Sequence, residues 1–516
     1  MATDTRFAVL DLGSTTFQLL VADADAGGSL TPVLRDRVVL NLGRVLAGEG
    51  RIPDDVAGRA AETARRLADL SVRMGADHVV PLATSALRDS PDRDALASLF
   101  EGAIGTRVRF IDGREEARLT FAGVTASVAL GPGPTLLLDL GGGSLEVALA
   151  GSEGLRWGRS LPIGAGRMTG LLVTHDPPTR DERTAVRAAV EEAVAPLVQD
   201  VAEAKPARCV ASGGTAGALA RVLAARRWGT PPASLNQYEV TVSELRDLTR
   251  ELASLSLAER LRVPGVDERR AELLPAGGWI LTSAAGALGA KRLVHSEWGL
   301  REGAVLDALG LADRPTPTPD ELRRRSVDRL VRAWGEDRGH VEVVARIAER
   351  LFDDTADLHG LGAPERELLG HAARLHEIGS RISPARLHKH GAYLVENAGL
   401  RGFTPDEIAA IASLVRFHRG KDPRAVYPPF EALSDSEREA VVVLVGLLRI
   451  AHAIARGPEG DRLEIATASR DGTLQVLISG SDNPEAAVAE ARSAADLLGR
   501  TLRHPIEIEV GVADRR

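Results

Sequence analysis

Short apolar runs of strand length recur in the first 310 residues, and two of them end in the same motif. Phe7–Leu12 and Leu136–Leu140 each end in Asp-Leu and are followed directly by a glycine. The aspartates of the two Asp-Leu-Gly motifs are Asp11 and Asp139. Two further strand-like runs follow each motif: Phe17–Ala22 and Thr31–Val39 in the first copy, Leu145–Ala150 and Leu155–Pro162 in the second. An internal repeat of this kind predicts two homologous lobes that face one cleft.

Helical and strand-like patterns alternate within each predicted lobe. An amphipathic stretch at Asp54–Met74 precedes the apolar run His78–Ala83, and a second at Asp181–Ala204 precedes Arg208–Ala211. This alternation is typical of layered α/β domains. We therefore predict α/β lobes at residues 1–125 and 126–311.

The character of the chain changes after a proline-rich linker at Ala312–Pro319. Residues 320–456 have helical periodicity and predict an all-helical domain. Strand-like patterns return in residues 460–516, which predict a small α/β domain. Its expected elements are the strands Leu463–Thr467, Leu474–Ile478 and Ile506–Val510 and a helix at Pro484–Leu498.

Composition narrows the environment and the partners. The 516 residues carry a formal net charge of −8, which disfavours a general nucleic-acid coat because such a coat needs a broad basic surface. Cys209 is the single cysteine, so no intramolecular disulfide can form, and a reducing cytoplasm fits. The N-terminus lacks a signal-peptide pattern, and the most apolar run, Val441–Leu448, is too short to span a bilayer. We expect a cytoplasmic protein without a membrane or nucleic-acid partner.

Three glycine-rich turns, each directly after an apolar strand, carry the first chemical signal. Glycine turns leave backbone N–H groups bare, so a phosphate can approach them closely. The third turn also opens a predicted helix, whose N-terminus favours an anion. The candidate phosphate-binding residues are Gly13, Ser14 and Thr15; Gly141, Gly142, Gly143 and Ser144; and Gly213, Gly214 and Thr215.

Carboxylates beside these turns indicate a cation. Asp11 and Asp139 would repel a phosphate unless a metal lay between them, and Mg²⁺ prefers carboxylate, water and phosphate oxygens. Glu146 shares a strand face with Ser144 and therefore points toward the second turn. The matching position in the first lobe is Gln18, so the repeat is asymmetric in charge.

Two more segments supply candidates for hydrolysis. Glu115 and Glu116 fall in the first turn of a predicted helix, where acidic residues are also common because they suit the helix dipole. Arg88 follows a strand and could hold a phosphate oxygen through two parallel hydrogen bonds.

Taken together, these segments resemble the Ppx/GppA phosphatases, which are exopolyphosphatases and guanosine pentaphosphate phosphohydrolases. The resemblance covers residues 6–310 and implies two actin-like (ASKHA, ribonuclease H-like) lobes. The matching stretches are Leu10–Ser14, Ala83–Arg88, Gly113–Leu119, Asp139–Glu146, Ala211–Thr215 and Gly299–Gly303.

The resemblance also implies roles. Glu116 corresponds to the catalytic base and Glu146 to a second essential carboxylate that helps to hold metal or water. Asp139 to Ser144 correspond to the site for the terminal phosphate and Mg²⁺. Ser14, Arg88 and residues 213–215 correspond to further phosphate contacts. The family's long forms imply a homodimer.

The helical region resembles the HD-like domain of the long forms. Metal-binding HD hydrolases use a His-Asp pair and a later aspartate, whereas this chain has His376-Glu377 and no carboxylate in Leu448–Ala455. We therefore expect no second metal centre. Basic residues accumulate nearby, and we hypothesise that Arg416, Arg419 and Lys421 form a track that guides a polyanion.

The sequence thus predicts an Mg²⁺-dependent exopolyphosphatase that removes terminal phosphate from inorganic polyphosphate processively. The closest alternative is the phosphohydrolase reaction on guanosine pentaphosphate, which would use the same groups. An actin-like kinase ranks lower, because Glu116 and the segment around Arg88 follow the phosphatase pattern. A non-catalytic sensor of polyphosphate or alarmone also ranks lower, because the acidic set Asp11, Asp139, Glu116 and Glu146 is intact.

Overall fold

A computed structural model of the chain describes residues 4–511 apart from 152, 336–337, 425, 457–462, 471–472 and 481–483. The chain divides into two compact units, Met1–Leu322 and Arg323–Arg516. The first unit is α/β and the second is mainly helical. The predicted boundary near residues 456–460 lies largely outside the described residues.

The first sheet of the first unit has the strand order β3-β2-β1-β4-β5. Strands β1 to β3 are antiparallel neighbours, whereas β4 and β5 continue the sheet in parallel to β1. The elements are β1 (Thr5–Leu12), β2 (Thr16–Ala24), β3 (Leu30–Val39), α1 (Leu42–Glu49), α2 (Asp54–Arg73), β4 (His78–Ala83), α3 (Ser85–Arg88), α4 (Arg93–Ile104), β5 (Arg109–Phe110) and α5 (Gly113–Thr125).

The second sheet, ordered β10-β11-β9-β6-β7-β8, repeats this plan and adds the edge strand β10. Its elements are β6 (Thr135–Leu140), β7 (Leu145–Gly151), β8 (Gly154–Leu161), α6 (Ala165–Leu172), α7 (Arg180–Val194), α8 (Val198–Ala204), β9 (Arg208–Ser212), α9 (Gly214–Trp228), β10 (Glu239–Thr241), α10 (Val242–Ser254), α11 (Leu257–Arg260), α12 (Leu274–Ala287), β11 (Arg292–His295) and α13 (Leu300–Ala308). The common order confirms the repeated α/β lobes that the Asp-Leu-Gly motifs predicted.

Two differences from the prediction have physical reasons. The helix expected at Asp181–Ala204 is interrupted by a 3₁₀ turn at Ala195–Leu197, because Pro196 lacks the N–H that a continuous helix needs. Helix α13, which we assigned to the second lobe, packs against the first sheet. Its Val305 and Leu306 share a core with Phe7 and other apolar residues of β1 and β2.

The second unit begins within α14 (Pro319–Trp334) and has one continuous core. Its further helices are α15 (Arg338–Asp354), α16 (Ala356–His359), α17 (Ala363–Leu375), α18 (Leu387–Asn397), α19 (Pro405–Phe417), α20 (Pro428–Glu431), α21 (Asp435–Ala455), α22 (Pro484–Ala494) and α23 (Asp496–Leu502), with a 3₁₀ turn at Ile378–Arg381. Its strands are β12 (Glu464–Arg470), β13 (Thr473–Ser479) and β14 (Ile506–Val510).

The small sheet β12-β13-β14 packs into the same core as the helices, through residues such as Val476 and Ile508. The helical and C-terminal segments that we predicted as separate domains therefore share one apolar interior. The apolar run Val441–Leu448 lies inside the buried part of α21. Among the described residues, none of the helices combines the length and the apolar character needed to cross a bilayer.

The expectation of no second metal centre is drawn from the His376-Glu377 pair and from the lack of a carboxylate in Leu448–Ala455, and it stays a prediction. The fold adds His340 from α15 and His452 from α21 to that pair, and their ligand atoms all lie within 4.8 Å of one another.

The single thiol gives a test of the first-unit core. Cys209 on β9 is 5% exposed, and burial raises its pKa well above the ordinary range of a thiol. We expect a thiol-specific chromogenic reagent to leave the native protein unmodified and to titrate one thiol per chain after denaturation. Stoichiometric reaction of the native protein at neutral pH would contradict the described packing of β9.

Candidate active site

The two Asp-Leu-Gly motifs form matching hairpin turns. Gly13 N–H donates to the carbonyl of Thr16 at 3.2 Å, and Gly141 N–H donates to the carbonyl of Ser144 at 3.0 Å. One turn joins β1 to β2 and the other joins β6 to β7. Each aspartate lies two residues before the first glycine of its turn. The sequence repeat is therefore also a repeat of backbone geometry.

The residue opposite each aspartate differs between the lobes. Asp11 pairs in register with Gln18, whose amide donates to Asp11 Oδ2 at 3.2 Å. Asp139 pairs in register with Glu146, whose Oε1 accepts from Ser160 Oγ at 2.7 Å. The first hairpin thus offers one carboxylate and the second offers two, as the sequence predicted.

The two hairpin turns are packed directly against each other. A Cβ atom built on Gly142 would lie 1.9 Å from Thr15 Oγ1, and one built on Gly143 would lie 2.3 Å from Ser14 Oγ. Side chains essentially never approach this closely, so glycine is required at both positions for steric reasons. This contact brings the two carboxylate-bearing hairpins into one site.

The third glycine turn opens onto the same site. Gly213 has a φ of +89°, a left-handed conformation that favours glycine, and α9 starts at the next residue. Ser212 Oγ donates to Asp139 Oδ1 at 2.9 Å, which ties this turn to the second hairpin. The N-terminus of α9 therefore adds its partial positive charge beside the carboxylates.

All three turns line one cavity of about 500 Å³. Every first-unit residue that we predicted for the site lines it, except Arg88. These residues are Asp11, Gly13, Ser14, Thr15, Glu116, Asp139, Gly141, Gly142, Gly143, Ser144, Glu146, Gly213, Gly214 and Thr215. Residues from positions 11 to 215 are thus brought together by the fold.

Four carboxylates in this cavity resist ionisation. Burial is the largest cause in each case. Burial and the nearby Asp139 raise the pKa of Glu146 to about 7, and burial together with the repulsion from Asp139 raises the pKa of Asp11 to about 6. Burial and Glu146 raise the pKa of Glu116 well above its usual value, and the pKa of Asp139 is raised as well. Placing these charges together is costly unless a cation balances them.

This donor set fits a hard divalent cation. Asp11, Asp139 and Glu146 offer only oxygen ligands, which is the chemistry that Mg²⁺ prefers. A cation among them would remove the repulsion that raises their pKa values. The fit rests on the buried, mutually repelling carboxylates themselves.

The two glutamates at the start of α5 have different surroundings. Asp112 caps the helix by accepting from Glu115 N–H at 2.8 Å. Glu115 pairs with Arg109 at 2.8 Å and with Arg118 at 2.9 Å. Glu116 is only 7% exposed and lines the cavity. Glu115 therefore forms ion pairs at the start of the helix, whereas Glu116 lines the cavity of the site.

Arg88 contacts Glu116 and lines an adjoining cavity of about 530 Å³. Its Nη1 donates to Glu116 Oε2 at 3.1 Å and to the carbonyl of Ile111 at 2.9 Å. In this arrangement the guanidinium orients the Glu116 carboxylate. A phosphate contact by Arg88 stays a prediction.

Sequence reasoning missed the arginines of the cavity, Arg35, Arg37, Arg221, Arg270 and Arg301. Arg35 and Arg37 stand two residues apart on β3, a spacing that places them on one face of the strand and could have marked them. Arg301 lies inside the Gly299–Gly303 motif that we singled out, but we gave it no role. Arg270 has no local signal, because only the fold brings it to the third turn.

Arg270 is the most exceptional of these arginines. Among the residues that the structure describes, no carboxylate forms an ion pair with it. Burial, Arg37 and Arg301 lower its pKa to about 10. A Cβ atom on Gly214 would lie 1.9 Å from its guanidinium, so Arg270 rests on the third turn. A half-buried guanidinium beside glycine turns, free of an ion pair among the described residues, is suited to bind an anion.

The predicted polyanion track lies in the second unit, at and after the end of α19. Arg416 lies over the ring of Tyr427, with Cζ 5.7 Å from the ring centroid. Arg419 lies close enough to lower the pKa of the buried His376, and Lys421 is exposed. A role for these residues in guiding a polyanion stays a prediction.

Comparisons with known proteins agree with this geometry. The model of the Ppx/GppA phosphatase family matches residues 20–312, and the model of domain III of the Ppx/GppA phosphatases matches residues 322–478. The chain is 32% identical over 305 residues to exopolyphosphatase 1 of Mycobacterium leprae, and the aligned stretch covers 59% of this chain and 89% of that protein. It is 31% identical over 331 residues to exopolyphosphatase 1 of Mycobacterium tuberculosis, which covers 64% and 95%.

Solved structures give the same fold for the first unit. An exopolyphosphatase from Cytophaga hutchinsonii superposes with a TM-score of 0.55 at 24% identity, covering 59% of this chain and 98% of that chain. A Ppx/GppA family member from Aquifex aeolicus superposes with a TM-score of 0.50 at 24% identity, covering 59% and 97%. These likenesses confirm the predicted two-lobed actin-like fold.

The contact between the hairpin turns predicts a sharp glycine requirement. Gly142→Ala should cost about 1–3 kcal/mol of unfolding free energy, because the new methyl group would overlap Thr15. Gly58→Ala is the matched control. It lies on the exposed face of α2 with nothing within 4 Å of its Cβ position, and it should stabilise the chain by up to about 1 kcal/mol.

Chemical denaturation of both variants measures these changes. Equal stability of Gly142→Ala and the wild type would show that the two hairpins are not packed as described.

Proposed function

The chain belongs to the Ppx/GppA phosphatase family, and we propose that it is an exopolyphosphatase. In this proposal it hydrolyses the terminal phosphoanhydride bond of inorganic polyphosphate and releases orthophosphate processively. The named relatives, both called exopolyphosphatase 1, support this assignment.

One observation carries the proposal. Buried carboxylates, among them Asp11, Glu116, Asp139 and Glu146, converge with three glycine turns and five arginines around a single cavity of about 500 Å³. The turns and arginines suit a highly charged phosphate chain, and the carboxylates suit a metal and a water molecule. The site therefore contains complementary groups for a phosphoanhydride and for its attack by water.

We assign the positioning of water to Glu116. Its carboxylate lines the cavity, and the hydrogen bond from Arg88 holds it in one orientation. Burial and Glu146 raise the pKa of Glu116, and the Arg88 contact acts against that rise by stabilising the ionised form. The ionised form is the one that accepts a proton from water. In this proposal, groups other than Glu116 hold the negative phosphate chain. The water molecule lies between the Glu116 carboxylate and the phosphorus that it attacks.

The metal ligands in this proposal are Asp11, Asp139 and Glu146. When bound there, Mg²⁺ would supply the positive charge that balances these carboxylates and the charge that develops on the transferring phosphate. Gln18 stabilises Asp11 by a hydrogen bond, and Ser160 does the same for Glu146. These neutral partners orient the carboxylates without competing for the cation.

We assign the binding of phosphate to the glycine turns and to Arg270. Backbone N–H groups of the turns and the N-terminus of α9 offer donors, and Arg270 offers a guanidinium next to Gly214. Phosphate contacts by Ser14, Ser144 and Thr215 follow from their positions in the same turns.

Replacement of Glu116 tests the base. Glu116→Gln keeps the size of the side chain but removes its ability to accept a proton, so kcat on long-chain polyphosphate should fall by about 10²–10⁴-fold with little change in binding. The matched control is Glu115→Gln, because Glu115 is the adjacent carboxylate and is occupied by Arg109 and Arg118. Phosphate release by Glu116→Gln at the rate of Glu115→Gln would refute the role of Glu116.

Replacement of Arg270 tests substrate binding separately from chemistry. Arg270→Gln removes a charge-assisted contact worth about 1.5–3 kcal/mol, so KM should rise by roughly 10- to 100-fold while kcat changes less. Arg269→Gln is the control, because Arg269 is exposed and does not line the cavity. Equal KM values for the two variants would exclude Arg270 from substrate binding.

A further inference from the structure

A second cluster of ionisable side chains lies in the helical unit, far along the chain from the proposed catalytic residues. His340, His376, Glu377 and His452 place one ligand atom each within 4.8 Å of the others. His376 Nε2 lies 3.0 Å from His452 Nδ1, and His340 Nε2 lies 3.8 Å from Glu377 Oε2. From this geometry we infer that the second unit contains a site for a divalent transition metal of the zinc class.

The spacing of the ligand atoms supports the inference. A tetrahedral Zn²⁺ site with metal–nitrogen distances of about 2.0–2.1 Å places its ligand atoms roughly 3.3 Å apart. The observed separations of 3.0 Å, 3.8 Å and 3.9 Å within the cluster bracket that value. Binding of an ion would bring the more distant ligand atoms, which lie within 4.8 Å of one another, closer together.

The chemistry of the donors selects the metal. Three imidazole nitrogens and one carboxylate oxygen form a set that suits Zn²⁺ and its neighbours in the transition series, whereas Mg²⁺ and Ca²⁺ prefer oxygen ligands. We therefore expect this site to prefer a different metal from the one that suits the all-carboxylate set of the first unit.

A backbone hydrogen bond fixes the tautomer of His376, one of the four candidate ligands. His376 Nδ1 lies 2.6 Å from the carbonyl of Ala373, so this nitrogen carries the proton and donates to the carbonyl. The other ring nitrogen, Nε2, then keeps its lone pair. Nε2 is the atom that faces His452. A second-shell carbonyl that holds the tautomer of a histidine is a recurring feature of metal sites.

His418 supplies an independent observation. It is 2% exposed, and its ring centroid lies 5.1 Å from that of His376 and 5.4 Å from that of His452. Its Nδ1 lies 2.8 Å from the carbonyl of Val415 and is fixed as the donor. Its Nε2 is buried without a hydrogen-bond partner among the described residues. Such an orphaned nitrogen is expected where an ion or its bound water belongs.

The helices direct negative potential to the cluster. His376 and His418 stand at the C-terminal ends of α17 and α19, which are both 13 residues long. The C-terminal end of a helix carries a partial negative charge and favours a cation. Arg419 acts in the opposite direction, and the carboxylate of Glu377 offsets it. We therefore expect Glu377 to be necessary for tight binding.

Cobalt replaces zinc as a visible probe in the test. The full-length protein, first stripped with a chelator, is titrated with Co²⁺ and then with Zn²⁺. We expect one Co²⁺ per chain with the intense visible bands of tetrahedral coordination and their loss when Zn²⁺ is added. The absence of tetrahedral bands from the wild-type protein would overturn the inference.

Variants locate the metal. His340→Gln and Glu377→Gln should each weaken Zn²⁺ binding by at least about tenfold, since each removes one ligand. His371→Gln is the control, because His371 is a largely buried histidine of the same unit and pairs with Glu367 outside the cluster. Asp139→Asn controls for the carboxylates of the first unit and should leave the tetrahedral bands intact.

Each outcome decides the question. Bands that persist in both ligand variants, or that disappear in Asp139→Asn, would place the metal elsewhere and overturn the inference. If one ligand variant fails to fold, as judged by circular dichroism, the other variant and the wild-type spectrum decide. Because the readout is metal binding, its result is independent of whether the chain hydrolyses polyphosphate.

Discussion

The close approach of buried carboxylates is the constraint on which the first unit depends. Asp11, Asp139, Glu116 and Glu146 are brought into one cavity, and burial with mutual repulsion raises their pKa values. A protein interior does not tolerate four such groups without compensation. Arginines, hydroxyl donors, the α9 N-terminus and the proposed cation each supply part of that compensation. The same imbalance makes the site ready for a metal and a phosphate.

The glycine turns explain how this arrangement is built. Gly142 and Gly143 let the second hairpin touch Thr15 and Ser14 of the first, so the two carboxylate-bearing strand ends meet. The two lobes are therefore joined at the point where the charges concentrate. The two hairpins are equivalent, and the second has Glu146 where the first has Gln18, so the second side carries the extra charge.

Local patterns predicted much of the first unit. The strands at His78–Ala83 and Leu136–Leu140 and the hairpin turns after Asp11 and Asp139 lie where apolar runs and glycines placed them, because these signals act over a few residues. The packing of α13 against the first sheet was missed, since the amphipathic pattern of a short helix does not specify its partner. The site was predicted as a set of loops and carboxylates that the fold then brought together.

Residues that depend on tertiary contacts were not predictable in this way. Arg270 reaches the third turn from an irregular segment, and His340 joins His376 across two helices. Motif reasoning even gave the opposite expectation for the helical unit, because it compared His376-Glu377 with one known ligand pattern. Side chains from helices that are distant in sequence form the cluster, and only the folded structure juxtaposes them.

The central claim is that the first-unit cavity hydrolyses the terminal bond of a phosphate chain. The direct measurement is orthophosphate release, with Mg²⁺, from long-chain polyphosphate, guanosine pentaphosphate and ATP side by side. Our account predicts rapid release from long-chain polyphosphate, with turnover lost when the metal is chelated. Release from guanosine pentaphosphate or ATP in preference to polyphosphate, or no release from any of the three, would contradict it.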